Sequence, residues 1–174
     1  DKAIEQAIEM LHVAKRPLVL IGAAANRKET TNALQRFIDK TGLPFFSTQM
    51  GKGVLDEREN LCMGTAAISD GDFVHEAIKH ADLILNFGHD IIEKPPFFMT
   101  PGGVKVIHIN YSYSHTDELY FPELDVVGDL SISVNKLTEL VEKQTRWDLE
   151  RYKEIKLAID TNLLDGTNDP RFPM

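Results

Sequence analysis

Ala81-Asp82-Leu83-Ile84-Leu85-Asn86-Phe87-Gly88-His89-Asp90 decides the architecture of the chain. A short apolar run that follows a helix-like segment and stops at a glycine has the pattern of a buried parallel strand running into a loop. In open α/β sheets ligands sit in the crevice beyond the carboxyl ends of the central strands, which makes Gly88, His89 and Asp90 candidates to line a site. Pro17-Leu18-Val19-Leu20-Ile21-Gly22 has the same design, and the two runs are read as the central pair of a sheet. The small residues Gly22-Ala23-Ala24-Ala25 that follow let backbone N–H groups approach a ligand closely.

Working outward, Lys2 to Ala14 places Ile4, Ala7, Ile8 and Leu11 at helical spacing, which gives a covering helix. A second helix is expected from Lys28 to Lys40 with Ala33, Leu34, Phe37 and Ile38 inward and Gly42 as its terminator. Pro44-Phe45-Phe46-Ser47-Thr48 reads as a strand and Leu61-Cys62-Met63-Gly64 as a short edge strand. The intervening Gln49 to Leu55 has two glycines around Lys52 but lacks the spacing of a P-loop. Ser69-Asp70-Gly71-Asp72 supplies caps for a helix through Phe73, Val74, Ala77 and Ile78, and capping suits Asp70 and Asp72 better than calcium, whose loop spacing is missing.

Downstream, Glu93-Lys94-Pro95-Pro96 is a rigid loop and Phe97-Phe98-Met99 a packing segment. Val104 to Asn110 and Leu124 to Val127 read as strands, joined by a polar, aromatic loop from Tyr111 to Pro122. Asp129 is an obvious N-cap for a helix carrying Val134, Leu137, Leu140 and Val141. After Gln144 the pattern changes to a helical tail containing Trp147, Tyr152, Ile155 and Leu163, closed by Asp165-Gly166-Thr167-Asn168-Asp169-Pro170. Residues 1–145 are read as one domain and 146–174 as a helical linker. Strands alternating with helices imply a three-layer, doubly wound parallel sheet of about six strands in Rossmann-like order.

Composition narrows the function. A chain of 174 residues suits one well-packed domain, and a net charge of −8 argues against nucleic acid or an anionic membrane as partner. No apolar run approaches the roughly 20 residues of a membrane span. The single cysteine, Cys62, excludes an internal disulfide framework and fits a reducing, cytoplasmic setting. Flanked by Leu61 and Met63, it reads as buried and not as a nucleophile. The GxGxxG fingerprint and the GxSxG elbow are both missing. His108 alternates with apolar neighbours and reads as a structural histidine; His89 is the best functional candidate of the six, set against a loop histidine with no duty. The chain starts without Met and stops at Pro173-Met174 with no finishing signal, and reads as a piece of something larger.

The order of Lys15-Arg16-Pro17-Leu18-Val19-Leu20-Ile21-Gly22, Thr41-Gly42-Leu43-Pro44, Met50-Gly51-Lys52-Gly53, Ala81-Asp82-Leu83-Ile84-Leu85, Val106-Ile107-His108-Ile109 and Val127-Gly128-Asp129 resembles the central domain of thiamine-diphosphate-dependent enzymes. It is most similar to the acetolactate synthase large subunit group, over about residues 1 to 143, with the tail resembling the linker into that family's diphosphate-binding domain. The resemblance implies a three-domain enzyme that decarboxylates a 2-oxo acid and transfers the acyl carbanion equivalent to a second carbonyl compound. It implies thiamine diphosphate and magnesium bound by the flanking domains at a subunit interface of a homodimer or homotetramer. A scaffold role with no catalytic residue and no metal ligand follows for this domain, which would be inactive alone.

In acetolactate synthases this domain also holds FAD through the loops after the strands. Matched by position, those loops contain Gly22, Ala23, Thr48, Gly64, Gly88, His89, Asn110 and Asp129. Here the chain departs from the pattern. FAD-binding members carry Ala-Arg and a further Arg after the strand-ending glycine, whereas this chain has His89-Asp90 and then Glu93-Lys94, and an aspartate where a cation would face a pyrophosphate is electrostatically adverse. Thr65 to Asp72 also lacks the usual Gly-Met-His-Gly. FAD, ADP, NAD, or a pocket filled by side chains all stay open at this stage. So do two other classes, an autonomous nucleotide-binding module and a purely structural dimerisation domain.

Overall fold

The computed structural model describes residues 2–66, 73–89, 93, 99–116 and 120–167, the side chains as far as 162. Six strands form one all-parallel sheet: β1 (Pro17–Ile21), β2 (Phe45–Thr48), β3 (Cys62–Ala66), β4 (Leu83–Phe87), β5 (Lys105–Asn110) and β6 (Leu124–Val127). Their order across the sheet is β3-β2-β1-β4-β5-β6. The two runs expected to form the central pair do so, in the register Pro17 to Leu83 through Ile21 to Phe87. The chain leaves β1 toward one edge and, after β3, returns to place β4 on the other side, so the topological switch falls between β1 and β4.

Both faces are covered, which is why β1 and β4 are buried at every residue and are apolar throughout except at Asn86. Alternate residues face opposite layers. Val19, Ile21, Leu83, Leu85, Phe87, Ile107 and Ile109 meet α1 (Lys2–Val13), α2 (Lys28–Thr41) and α4 (Leu130–Leu140). Leu18, Leu20, Ile84 and Val106 meet α3 (Phe73–His80) and α5 (Glu150–Thr167). Phe37 of α2 sets its ring edge-on to Phe87 at 5.7 Å between centroids, the geometry favoured by aromatic quadrupoles.

Local signals act as expected. Gly42 ends α2 in the left-handed region, φ +69°, and donates its N–H to Ile38 O at 2.8 Å. Asp129 caps α4 by accepting from Ile132 N at 3.0 Å. The edge strand β3 carries a register shift against β2 between Phe45 and Ser47, and Gly64 there has φ +106°, the freedom such a bulge requires. The proposed caps at Ser69 to Asp72 lie outside the described residues, as do Asp90, Lys94, Phe97 and Phe98. Met99 is buried against the second face, and Cys62 is buried, which pushes its thiol above the ordinary range.

The segment after Gln144 packs against both cores. Trp147 and Leu149 precede α5, which runs on through Asp165-Gly166 to Thr167. Trp147 donates from Nε1 to Leu11 O at 3.3 Å, and Tyr152 donates its hydroxyl to Arg16 O at 2.9 Å. Tyr152 and Ile155 belong to the second core beside α3. Among the described residues no helix is long and apolar enough to cross a membrane.

The Asp129 cap gives a first expected result. Hydrogen bonds from Ser131 and the Ile132 N–H hold its carboxyl below the usual carboxylate range. A carboxyl depressed in the folded state stabilises the fold above its unfolded pKa and loses that contribution as pH falls through the folded value. Asp129→Ala should therefore lower Tm by roughly 3 °C at neutral pH and by less in acid, as thermal unfolding at pH 7 and pH 3 would read. A deficit that grew toward acid would contradict this assignment.

Candidate functional site at the switch-point edge

The carboxyl ends of β1, β2, β4 and β5 bring Gly22, Ala23, Thr48, Gly88, His89 and Asn110 together, and these residues bond chiefly to one another's loops. Gly22 N–H donates to Phe87 O and Ala24 N–H to Gly88 O, both at 2.9 Å. Gly88 N–H donates to Ile109 O at 2.9 Å, and Asn110 Nδ2 to His89 O at 3.1 Å. Asn110 Oδ1 in turn accepts from Tyr111 N–H at 2.8 Å. Gly64 lies on the edge strand against Val74, and Asp129 at the head of α4; neither takes part in this bonded cluster.

Glycine is required at Gly22 by close approach and not by φ. A Cβ there would stand 2.3 Å from His89 Cα and 2.6 Å from His89 N, both backbone atoms. Gly51 faces Ile21 O in the same way: a Cβ on it would stand 2.2 Å from that oxygen. Gly88 has φ +70°, and a Cβ on it would also collide with Ala25 N, at 2.7 Å. The permissive turn after β1 is thus used by the chain's own backbone: Ala23–Ala25 forms a single 3-10 turn against the loop after β4.

A carboxylate lies within this edge. Glu93, only 6% exposed, accepts at Oε1 from Ala23 N–H at 3.0 Å. Its Oε2 accepts from the Thr48 hydroxyl, whose oxygen accepts from Gly51 N–H at 3.0 Å. One side chain therefore ties together the loops after β1, β2 and β4. His89, read from the sequence as either a ligand-facing or an idle loop histidine, is neither exposed nor loose at 4% exposure. The backbone at Gly22 packs against that of His89, whose ring lies 6.2 Å from the Tyr120 ring between centroids.

A second polar group sits on the α3 and α5 face. Asn86 and His108 are register partners on β4 and β5, and both reach Tyr120. Asn86 Nδ2 donates to the Tyr120 hydroxyl at 2.6 Å, and that hydroxyl lies 2.8 Å from His108 Nδ1. The hydroxyl accepts from Asn86 and has one proton of its own that it can donate to His108 Nδ1. Burial pushes the Tyr120 hydroxyl well above the ordinary tyrosine range, so it stays protonated throughout the neutral region. Asn86 Oδ1 is buried with no hydrogen-bond partner among the described residues. His108 is buried beside Tyr120, while Tyr120, Asn86 and Glu93 are residues that the sequence reading did not place in a site. An asparagine inside an otherwise apolar strand was the one available signal.

At the rim, the Arg27 guanidinium covers the Tyr111 ring at 5.0 Å. Among the described residues no group of three or more His, Cys, Asp and Glu is placed to hold a metal ion.

A parallel sheet with its switch between β1 and β4, wound on both faces and carrying small-residue loops at the carboxyl edge, defines a nucleotide-binding-like α/β domain. The profile of the thiamine pyrophosphate enzyme central domain matches residues 4–137, and the chain belongs to that family. It is 31% identical over 142 residues to an acetolactate synthase of Bacillus subtilis (strain 168), which covers 79% of this chain and 24% of that protein. A 2-hydroxyacyl-CoA lyase 1 of Dictyostelium discoideum is 31% identical over 144 residues, 80% of this chain and 24% of the lyase. A 3D-(3,5/4)-trihydroxycyclohexane-1,2-dione hydrolase of Clostridium tetani (strain Massachusetts / E88) is 28% identical over 146 residues, 82% and 22% respectively. The chain spans about a quarter of the length of these relatives.

Proposed function

We propose that this chain is the central scaffold of an acetolactate synthase-type enzyme, which decarboxylates a 2-oxo acid and joins the acyl carbanion equivalent to a second carbonyl compound. The observation that carries the reading is the family match over 4–137 together with 31% identity to an acetolactate synthase. Thiamine diphosphate and magnesium would be held by flanking domains of the same polypeptide, at the interface of a homodimer or homotetramer. The cofactor supplies the electron sink for decarboxylation. This domain supplies rigidity: two packed helical layers and a bonded carboxyl edge fix the positions from which the chain leaves toward its neighbours. Residues 146–174, anchored through Trp147 and Tyr152, would serve as the linker.

The relatives' different reactions set the test. The full-length protein, loaded with thiamine diphosphate and magnesium and supplied with pyruvate, is expected to form acetolactate, read by product chromatography. Residues 1–174 alone should give no turnover. Cleavage of a 2-hydroxyacyl-CoA, or ring hydrolysis of a cyclic dione, with no acetolactate from pyruvate would assign the chain to another branch of the family.

A further inference from the structure

The carboxyl edge of the sheet is where an anionic ligand would look for donors, and a side chain of the protein already has them. Ala23 N–H, at the first turn after β1, is bonded to Glu93 Oε1 at 3.0 Å. The Thr48 hydroxyl, at the end of β2, is bonded to Glu93 Oε2. The backbone gap that Gly22 opens is closed by Gly88 and His89, whose atoms stand within 2.7 Å of a Cβ position on Gly22. A pyrophosphate needs those donors and that gap, and a buried carboxylate beside it would repel it. FAD therefore does not fit this arrangement.

We infer that Glu93 is the resident anion of this domain: its carboxylate is an internal ligand that locks the loops after β1, β2 and β4 together and excludes FAD and other dinucleotides. A buried carboxylate is tolerable only when hydrogen-bonded, and Ala23 and Thr48 provide bonds from two different loops. This goes beyond the reaction proposed above and is tested separately from it, since flavin binding and thermal stability are read without turnover.

The experiment uses the full-length protein, as wild type, Glu93→Ala and Glu93→Gln. Calorimetric titration of the wild type with FAD is expected to show no binding, and the protein to purify without flavin. Glu93→Ala should lower Tm by about 5 °C, because Ala23 N–H and the Thr48 hydroxyl lose their acceptor. Formate at tens of millimolar should recover part of that loss in Glu93→Ala while leaving the wild type unmoved, since a small carboxylate fits the vacated position. Glu93→Gln keeps the volume and one acceptor oxygen and should fall between the two. Stoichiometric FAD binding by the wild type overturns the inference whether or not the variants fold. So does a Glu93→Ala Tm that equals the wild type's and ignores formate.

Discussion

Replacing Gly22 by alanine is expected to destabilise the domain by roughly 3 kcal/mol or more. The added Cβ would lie 2.3 Å from His89 Cα and 2.7 Å from Gly88 O. Both are backbone atoms at the end of β4, so relief requires β1 and β4 to part or the loop after β4 to lift. Lifting that loop also draws His89 O from Asn110 and disturbs Glu93 against Ala23. Gly128→Ala is the matched control: its nearest neighbour is Ser133 Oγ at 3.6 Å, an ordinary contact, and the change should stay within about 0.5 kcal/mol. Urea unfolding of both variants checks the contrast. Equal stabilities would mean that the loops after β1 and β4 are not interlocked.

Tyr120→Phe is expected to cost about 2 kcal/mol, because it removes one oxygen from between two buried polar side chains on adjacent strands. Asn86 is fully buried, and its Nδ2 would lose the acceptor at 2.6 Å. His108 Nδ1 would lose its contact with the hydroxyl at 2.8 Å. The ring itself remains in the second core, so packing is conserved and the loss is chiefly that of the hydroxyl. Adding Asn86→Leu to the same chain should return part of the stability, since an apolar side chain leaves no amide to satisfy. Unfolding free energies of the single and double variants give the coupling. A double variant that merely sums the two single losses would show that Asn86 and Tyr120 do not act through each other.

These two sites also mark where sequence reading succeeds and where it stops. β1 and β4 were legible because a strand covered on both faces admits few polar residues, so Pro17–Ile21 and Leu83–Phe87 stand out as apolar runs. Gly42 and Asp129 were legible because a left-handed terminus and a cap are decided by their own few neighbours. Glu93 was not. A glutamate in a rigid, proline-rich loop carries no local sign of burial, and its partners stand 70 and 45 residues earlier in the chain. Only the fold brings Ala23 and Thr48 to it. Asn86 was absorbed into its strand for a related reason: Tyr120, which makes an amide acceptable there, comes from a loop 34 residues away.

The same limit explains the small-residue turn. Gly22-Ala23-Ala24-Ala25 reads correctly as a place of close backbone approach, but the pattern does not say what approaches. In this domain it is the loop after β4, held by a carboxylate. The burial of the tail follows the same logic, because only the fold brings Trp147 to the core beside α1 and Tyr152 and Ile155 to the core beside α3.

The proposed thiamine-diphosphate carboligase activity of the full-length protein and the proposed flavin independence of its central domain can be tested in one assay. Acetolactate formation from pyruvate by the flavin-free, full-length protein, measured with thiamine diphosphate and magnesium present and FAD first absent and then added, tests both together. The expected result is acetolactate at the same rate in the two conditions. A rate that appears only when FAD is added, or no acetolactate in either condition, would contradict them.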